Sequence, residues 1–195
     1  MHGQVWNRED PTGWFISEKL DGIRAFWDGS QLFSKMGTVL PVPSEFIRSL
    51  PHDVCLDGEL WIGYDAFPQL MSVLRTYRME NRWQHVQYCV FDAPMHPGNY
   101  VERHTFLRDT ISGYPNHITL IPVIHCMGLK HLHTVLKEIT KKKGEGIMLY
   151  HPEAKYTPGR TDHLYKVKAY SEEDVKFKKY NPNTYSFLCE QYAIG

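Results

Sequence analysis

Short runs of aromatic and β-branched residues, separated by Asp-Gly and Pro signals, recur along this chain and limit its fold more than any other feature. Examples are WFISEKL, IRAFW and HVQYCVFDAP. Such runs are typical of strands, and the Asp-Gly pairs between them are typical of turns. Only two or three stretches have the spacing of an amphipathic helix. The alternation predicts an α+β fold in which mostly antiparallel sheets are flanked by a few helices.

Individual elements follow from the same signals. Asp28-Gly29 predicts a hairpin turn between IRAFW and QLFSK, and Asp57-Gly58 predicts a turn that divides VCLDGELWIG into two strand pieces. ITLIPVIHC is predicted to be one strand, weakened at Pro122 and near a sheet edge. The predicted helices are FPQLMSVLRTYR, YVERHTFLRDTI and a segment with Leu129, Leu132, Leu136 and Ile139 on one face, closed by Gly144. The remaining predicted strands are EGIMLYH, HLYKVKAY, DVKFKKY and TYSFLCEQYA.

Length and composition set the remaining bounds. A chain of 195 residues supports one well-buried core. We expect a main domain over residues 1–170 and a short extension over residues 171–195, because the composition changes at SEED. The formal net charge is +0, so a site for a polyanion must be a local patch. Four widely spaced cysteines without a CxxC pair indicate reduced thiols, and no apolar run is long enough to span a membrane. We therefore expect a soluble intracellular protein without a membrane partner, and a monomer.

The segment SEKLDGIRAFWDG contains the most suggestive cation of the chain, Lys19. In isolation, a lysine beside an aspartate is usually a solvated ion pair. A lysine can also be a nucleophile if it loses its proton, which burial and neighbouring cations such as Arg24 favour. Asp21-Gly22 would then form the turn that presents the amine, and the Asp21 carboxylate would hold the geometry or hydration of the site. The segment alone leaves both interpretations open.

Further motifs decide between them. KLDGIR resembles motif I of the covalent nucleotidyltransferases, the superfamily of ATP-dependent DNA ligases, RNA ligases and mRNA capping enzymes. Four other motifs of that superfamily resemble segments that follow in order, namely DGEL (57–60), VFD (90–92), EGIML (145–149) and KVK (166–168). The resemblance implies a ligase-type nucleotidyltransferase domain in which Lys19 attacks the α-phosphate of ATP and becomes a lysyl-AMP phosphoramidate.

The resemblance also implies roles for other residues, and each role suits the chemistry of its side chain. Lys166 and Lys168 alternate on one strand, so they share a face and would lie near the α-phosphate. Glu145 would be a hard oxygen ligand for Mg²⁺ or Mn²⁺. The other implied nucleotide contacts are Glu59 to the ribose hydroxyl, Phe91 stacked on the base, Arg24 to ribose or phosphate, and Ser17 near the adenine. In the absence of the other motifs, Phe91 would be read as a core residue and the lysines as a solvated strand face.

Two segments resemble DNA ligases in particular. LFSKMG resembles their S-R-x-G segment, with Lys35 in place of the arginine. YTPGR (156–160) resembles the run that precedes motif V, which is KVK (166–168) in this chain. By this resemblance Lys35 and Arg160 contact phosphates, and the partner is nicked duplex DNA, with RNA as an open possibility. The implied biological roles are DNA repair and replication.

One departure from the family concerns the end of the chain. DNA ligases follow motif V with an OB-fold domain that ends in motif VI, which orients pyrophosphate, and no such motif is recognisable after residue 168. An OB-fold needs five strands, whereas this tail supplies about two. Residues 171–195 are therefore a short extension or the truncated start of an OB-fold, and self-adenylylation with free ATP is open. Either a separate chain supplies the OB-fold, or this is a pared-down ligase, or this chain is a fragment. The alternatives are an RNA ligase, a capping-type guanylyltransferase and a non-catalytic nick-binding module.

A cluster of His125, Cys126, His131 and His133 suggests a soft-metal site. His131 and His133 are two residues apart on a predicted helix and would point away from each other. The sequence therefore favours an ordinary surface cluster over a metal site.

Overall fold

The computed structural model describes residues 1–76, 80–168, 175–181 and 186–191, in which two five-stranded sheets and one two-stranded sheet are flanked by helices. The strands are β1 (His2–Val5), β2 (Phe15–Lys19), β3 (Ile23–Trp27), β4 (Leu32–Ser34), β5 (Leu56–Trp61), β6 (Gln87–Asp92), β7 (Ile118–Leu120), β8 (Val123–His125), β9 (Gly146–Tyr150), β10 (Arg160–Lys168), β11 (Val175–Asn181) and β12 (Ser186–Gln191). The helices are α1 (Ser44–Arg48), α2 (Phe67–Arg75), α3 (Tyr100–Ile111) and α4 (Leu129–Lys141), with a 3-10 helix at Glu80–His85.

The first sheet has the strand order β1-β10-β9-β2-β8. Residues alternate between its two faces, so Ile16, Ile147 and Leu149 pack against α4 through buried Leu132 and Ile139. The intervening residues form rows on the opposite face. One row is Lys19, Gly146 and Lys168, and the next is Ser17, Met148 and Lys166. This register places three lysines on the face of the sheet that α4 leaves open.

The second sheet has the strand order β4-β3-β5-β6-β7, and its core is the larger of the two. Trp27, Leu60 and Tyr88 are fully buried there, together with residues of α2 and α3. In this sheet Arg24 pairs with Glu59, and Glu59 pairs with Cys89. Arg24 and Glu59 are directly opposite each other and therefore share a face.

The chain passes from the first sheet to the second through only Leu20, Asp21 and Gly22, between β2 and β3. Gly22 lies against β5 so closely that a Cβ atom there would be 2.3 Å from the carbonyl oxygen of Leu60. Any larger residue would push the two strands apart at this point. Glycine is therefore required by the close approach of two backbones, and the crossing fixes Lys19 at the junction of the sheets.

The predicted turn at Asp57-Gly58 is wrong, because both residues lie within the continuous strand β5. Gly58 is the point where Tyr88 packs onto the strand: a Cβ atom would be 2.6 Å from the Tyr88 ring. The register between β5 and β6 also shifts between Asp57 and Gly58. The Asp-Gly pair therefore marks a β-bulge with a close ring contact, which is the other common use of glycine in strands.

The predicted single strand over residues 118–126 is also wrong. The segment forms β7 and β8, which belong to different sheets. Pro122 lies between them and cannot donate to a strand ladder, so the ladder ends there and the chain changes sheet. β7 and β8 are both edge strands, which agrees with the expected position near an edge.

The end of α4 differs from the prediction in one residue. Lys143, not Gly144, has the left-handed conformation, with φ of 64°. Its N–H donates to the Thr140 carbonyl, and the N–H of Gly144 donates to the Ile139 carbonyl. This is the Schellman arrangement, in which two terminal carbonyls of the helix gain donors. Gly144 follows it because a Cβ atom there would be 2.4 Å from Ile139 Cγ2.

The other predicted helices and strands are present, with bounds that differ by a few residues. Helix α2 ends at Arg75, and residues 77 and 78 of its predicted range lie outside the described residues, as do the outer ends of the last predicted strands and the predicted boundary at residues 170–171. The fold is α+β and mainly antiparallel, with β1–β10 and β6–β7 as its parallel pairs. The hairpin at Asp28-Gly29 joins β3 to β4, and α3 begins and ends at the residues predicted. β11 and β12 pair in a two-stranded sheet of their own. The division at residue 170 stays a prediction. Neither β1 nor α1 was predicted.

Candidate active site

A cleft of about 300 Å³ lies between the two sheets, and most of the predicted nucleotide-site residues line it. Those from the first sheet are Ser17, Lys19 and Lys166, and those from the second are Arg24, Glu59 and Phe91. Lys35, exposed after β4, lies at the edge of the cleft. Met148 and Tyr150 of β9 add apolar surface. A volume of this size, with apolar walls and a few convergent polar groups, is typical of a small-molecule site.

Lys19 lies at the end of β2 and is ion-paired with Glu145. The Nζ atom donates to Glu145 Oε2 at 2.5 Å, and the two side chains are 25% and 24% exposed. Lys168 Nζ is 3.9 Å from the other carboxylate oxygen, Oε1. Glu145 precedes β9, between the two strands that carry the lysines, so it bridges both cations. The amine is therefore held at a fixed place on the wall of the cleft.

Arg24 is held on three sides. It forms a bidentate pair with Asp57, Nε to Oδ1 at 3.0 Å and Nη2 to Oδ2 at 2.6 Å. Its Nη1 lies 3.1 Å from His2 Nδ1, and its guanidinium lies 5.7 Å from the centre of the Phe91 ring. The Tyr156 hydroxyl donates to Asp57 Oδ2 at 2.8 Å. A paired, preorganised guanidinium of this kind is suited to a ribose or phosphate oxygen.

Glu59 has a strongly perturbed carboxyl group. Burial raises its pKa from 4.5 to about 8, although the positive charges of Lys19 and Arg24 act in the opposite direction. Asp57 and Glu145 add to the increase through repulsion between like charges. A carboxyl group with this pKa in a cleft is typical of functional sites.

A second cavity of about 500 Å³ adjoins the cleft. His2, Arg24 and Lys35 line both cavities, and Tyr156 and Gly159 line the second one. Arg160 is exposed and begins β10 directly after Gly159. The residues predicted to contact nucleic acid are therefore near the same opening, with Lys35 lining both cavities and Arg160 next to the second one.

Asp21 lies apart from the other predicted site residues. It is exposed in the bend between β2 and β3 and is not among the residues that line the cleft. The structure places its carboxylate on the solvent side of the crossing.

Sequence reasoning missed His2, Asp57 and Tyr156. Asp57 is 1% exposed, and its partners Arg24 and Tyr156 come from two distant segments. Its position in DGEL was interpreted as a turn, and no local pattern marks His2. The available signal was the YTPGR run, in which the tyrosine is Tyr156.

Among the described residues, no group of three or more histidine, cysteine, aspartate or glutamate side chains is arranged to hold a metal ion. In the cluster of histidines and Cys126, His131 Nδ1 accepts a hydrogen bond from the Met127 N–H at 3.2 Å, and Cys126 is buried. Glu145 alone can still serve magnesium, since this ion commonly takes one or two carboxylates plus phosphate oxygens and water.

Comparison with known proteins agrees with this geometry. The model of the ATP dependent DNA ligase domain family matches residues 3–168, which is most of the chain. The chain belongs to this family. The match spans all five segments that resemble motifs of the superfamily. In the described part of this ligase domain, no helix has the length and apolar character needed to cross a membrane.

Individual relatives are similar along most of the ligase domain. It is 31% identical over 171 residues to a DNA ligase of Haemophilus influenzae, which is 87% of this chain and 63% of that protein. The chain thus spans less than two-thirds of this curated relative. A solved structure of Lig E DNA ligases, described as DNA binding with a minimal scaffold, has a TM-score of 0.82 and 28% identity. The alignment covers 97% of this chain and 78% of that one.

A more distant structure shares the fold. The Chlorella virus DNA ligase-adenylate has a TM-score of 0.68 and 18% identity, and the alignment covers 91% of this chain and 72% of that one. The family and the fold predicted from the sequence are confirmed, and the roles assigned to the motif residues stay predictions.

Proposed function

We propose that the chain seals nicked duplex DNA with ATP, through a lysyl-AMP intermediate on Lys19. The observation that carries this proposal is the position of the Lys19 amine. It lies on the wall of a cleft between two sheets, beside Glu145 and in line with Lys168. An amine nucleophile, a bridging carboxylate and flanking cations are the groups that nucleotidyl transfer needs.

In the first step, Lys19 Nζ attacks the α-phosphorus of ATP, a phosphoramidate bond forms, and pyrophosphate leaves. The amine loses its protons in the process. Lys166 and Lys168 of β10 lie on the same face of the first sheet as Lys19. Their positive charges would therefore offset the negative charge that develops on the phosphoryl oxygens.

The nucleoside part of ATP would lie between the two sheets. Phe91 would stack on the base, and the backbone around Ser17 would contact the adenine edge. Glu59 would accept a hydrogen bond from a ribose hydroxyl, and Arg24 would contact ribose or phosphate. All four residues line the cleft, which supports this assignment.

A divalent cation, Mg²⁺ or Mn²⁺, would be held by Glu145 together with phosphate oxygens and would supply neutralisation of the phosphate charge. Glu145 fits because it is a half-buried carboxylate beside Lys19, at the place where the α-phosphate would lie. The remaining coordination positions of such an ion would belong to phosphate oxygens and water.

In the later steps, an oxygen of the 5′-phosphate at the nick attacks the AMP phosphorus and Lys19 leaves. The 3′-hydroxyl then attacks the 5′-phosphorus, and AMP leaves. Lys35 and Arg160 lie at the second cavity and beside it, where they would contact phosphates of the nicked strand. A monomer suffices for these steps, and DNA repair and replication would be their biological context.

The test is incubation of the chain with α-labelled ATP and Mg²⁺ or Mn²⁺, followed by a denaturing gel. We expect label on the wild-type chain and none on Lys19→Ala. Lys137→Ala is a matched control, because Lys137 is exposed on α4 away from the cleft. Label from GTP instead of ATP would contradict the proposal in favour of a capping-type guanylyltransferase.

A second assay uses a nick that already carries 5′-AMP. Sealing without labelling would mean that step one needs a partner chain with an OB-fold, whereas neither sealing nor labelling would indicate a nick-binding module. The same assay on an RNA nick measures whether the ligase prefers RNA.

A further inference from the structure

His2 lies where the cleft and the second cavity meet, and the fold fixes its place. It begins β1, which runs parallel to β10, and its backbone N–H donates to the Gly159 carbonyl at 2.7 Å. It lines both cavities, as Arg24 and Lys35 do. The imidazole therefore stands beside the guanidinium predicted to bind nucleotide and close to the segment that carries Arg160.

The contact between His2 and Arg24 defines the tautomer of the imidazole. Arg24 Nη1 is 3.1 Å from His2 Nδ1. A guanidinium has only donors, so Nδ1 must be the acceptor and the ring proton must be on Nε2. A protonated imidazole would place an N–H against another N–H, and the hydrogen bond would be lost.

We propose that neutral His2 is a positioning residue for Arg24, which it holds through Nδ1 and releases when the imidazole gains a proton. The two other donors that anchor Arg24, Nε and Nη2, are both directed to Asp57. His2 thus holds Nη1, the remaining nitrogen of the guanidinium, and this hydrogen bond is lost when the imidazole gains a proton. What Arg24 then binds rests on the proposed function, whereas the contact itself does not.

The charges around His2 favour its neutral form at neutral pH. Burial lowers its pKa below the ordinary 6.5, and the positive charges of Arg24, Lys35 and the N-terminal amine lower it further, while Asp57 acts in the opposite direction. The pKa of that amine is itself lowered to about 6, mainly by burial, so its charge is lost as the pH rises to neutral. From β10, Arg160 is the register partner of His2 and adds one more cation nearby. The imidazole consequently accepts its proton only under acidic conditions.

The contact is tested directly by ¹⁵N NMR of the histidine rings of the full chain. At about pH 7.5 we expect the His2 resonances of an Nε2–H tautomer, with a titration midpoint below the ordinary value of about 6.5. Arg24→Ala should shift the Nδ1 resonance, because it removes the donor. An Nδ1–H tautomer, or a midpoint at or above the ordinary value, would overturn the proposal.

The functional consequence is tested by the pH profile of lysyl-AMP formation. We expect His2→Leu to raise the KM for ATP about tenfold at neutral pH, the order of one hydrogen bond to a charged group. His2→Gln offers a neutral acceptor, so it should rescue KM at neutral pH and also remove the rise in KM that the wild type shows at acidic pH. His133→Leu, an exposed histidine on α4, is the matched control.

The outcomes separate the two proposals. A wild-type chain that neither labels nor seals contradicts the proposed function, and the NMR result then decides on His2 alone. A chain that labels normally, with the same KM and pH profile in His2→Leu as in wild type, contradicts the role of His2. In a double variant, His2→Leu should cost nothing further once Arg24 is alanine, because the two residues act through one contact.

Discussion

At the residue scale, the site depends on a few charged side chains that the fold forces together. Glu59 is the clearest case, because its pKa of about 8 means that folding places a carboxyl group where its charged form is disfavoured. No pattern in DGEL indicates this. It results from burial between the sheets, which depends on strands distant in sequence.

The same shift predicts how stability depends on pH. An unfolded glutamate loses its proton near 4.5 and the folded one near 8, so the folded state binds more protons between these values. The free energy of unfolding contributed by this group therefore decreases as the pH rises from 4.5 to 8. We expect Glu59→Gln to be more stable than wild type at alkaline pH, by between about 1 and 4 kcal/mol. Urea unfolding at several pH values measures the difference.

That difference should approach zero towards the acidic end, where glutamate is protonated in both states. Glu138→Gln, on an exposed part of α4, should show no such dependence. Equal stability of Glu59→Gln and wild type at alkaline pH would contradict the assignment. The raised pKa of Glu59 thus lowers the free energy of unfolding at alkaline pH, a loss of stability that is common at functional sites.

At the element scale, a buried ion pair ties helix α3 to the second sheet. Arg103 is fully buried and pairs with Asp92 of β6, Nε to Oδ1 at 2.6 Å and Nη2 to Oδ2 at 3.1 Å. Its Nη1 donates to the carbonyls of Gly98 and Ala154. Burial raises the pKa of Asp92, and Arg103 opposes that increase. The pair thus links the start of α3, β6 and the loop after β9.

We expect Arg103→Leu to lower the free energy of unfolding by about 3–5 kcal/mol, because it leaves a buried carboxylate and two carbonyls without their donor. Arg108→Ala on the same helix is the control. Arg108 is 68% exposed and pairs only with its neighbour Asp109, so its loss should change stability by less than about 0.5 kcal/mol. Chemical denaturation measures both free energies of unfolding. A loss in Arg103→Leu as small as that expected for Arg108→Ala would show that the buried pair contributes little to stability.

The elements themselves were predictable from local signals wherever those signals have one meaning. Helix α3 has an Asn99–Glu102 capping box and was predicted with its observed ends. Asp-Gly was predicted correctly as a turn at Asp28, where three N–H or O–H groups of Ser30 and Gln31 donate to the aspartate. It was predicted wrongly at Asp57, because a ring packed on Gly58 is a tertiary contact that the dipeptide does not encode.

At the scale of the whole molecule, the resemblance to the family predicted that five separate segments meet in one nucleotide site, and residues of all five segments line the cleft. The pairing of β1 with β10 was not predictable, because a parallel pair between segments 158 residues apart in register, His2 with Arg160, leaves no periodic mark. The contacts of His2 with Arg24 and of Tyr156 with Asp57 likewise join residues that are far apart in the sequence.

The division of the chain leads to a prediction for a shortened protein. Because β11 and β12 form a sheet of their own, removal of residues 171–195 should leave both five-stranded sheets folded. We expect the thermal midpoint to fall by no more than about 4 °C, equivalent to roughly 1 kcal/mol for a chain of this size. Removal of residues 1–5, which deletes β1, should cost more. A collapse of the midpoint in the first variant would mean that the extension is part of the core.

The short crossing at Leu20–Gly22 has a mechanical consequence. The chain crosses between the same two sheets a second time at Ile121 and Pro122, so two short linkers hold the sheets together. Lys19 and Glu59 line the cleft from different sheets, one on each side of the Leu20–Gly22 crossing. The distance between the amine and this carboxyl group therefore depends on the angle between the sheets, and a longer linker at Leu20–Gly22 would leave that distance less well defined.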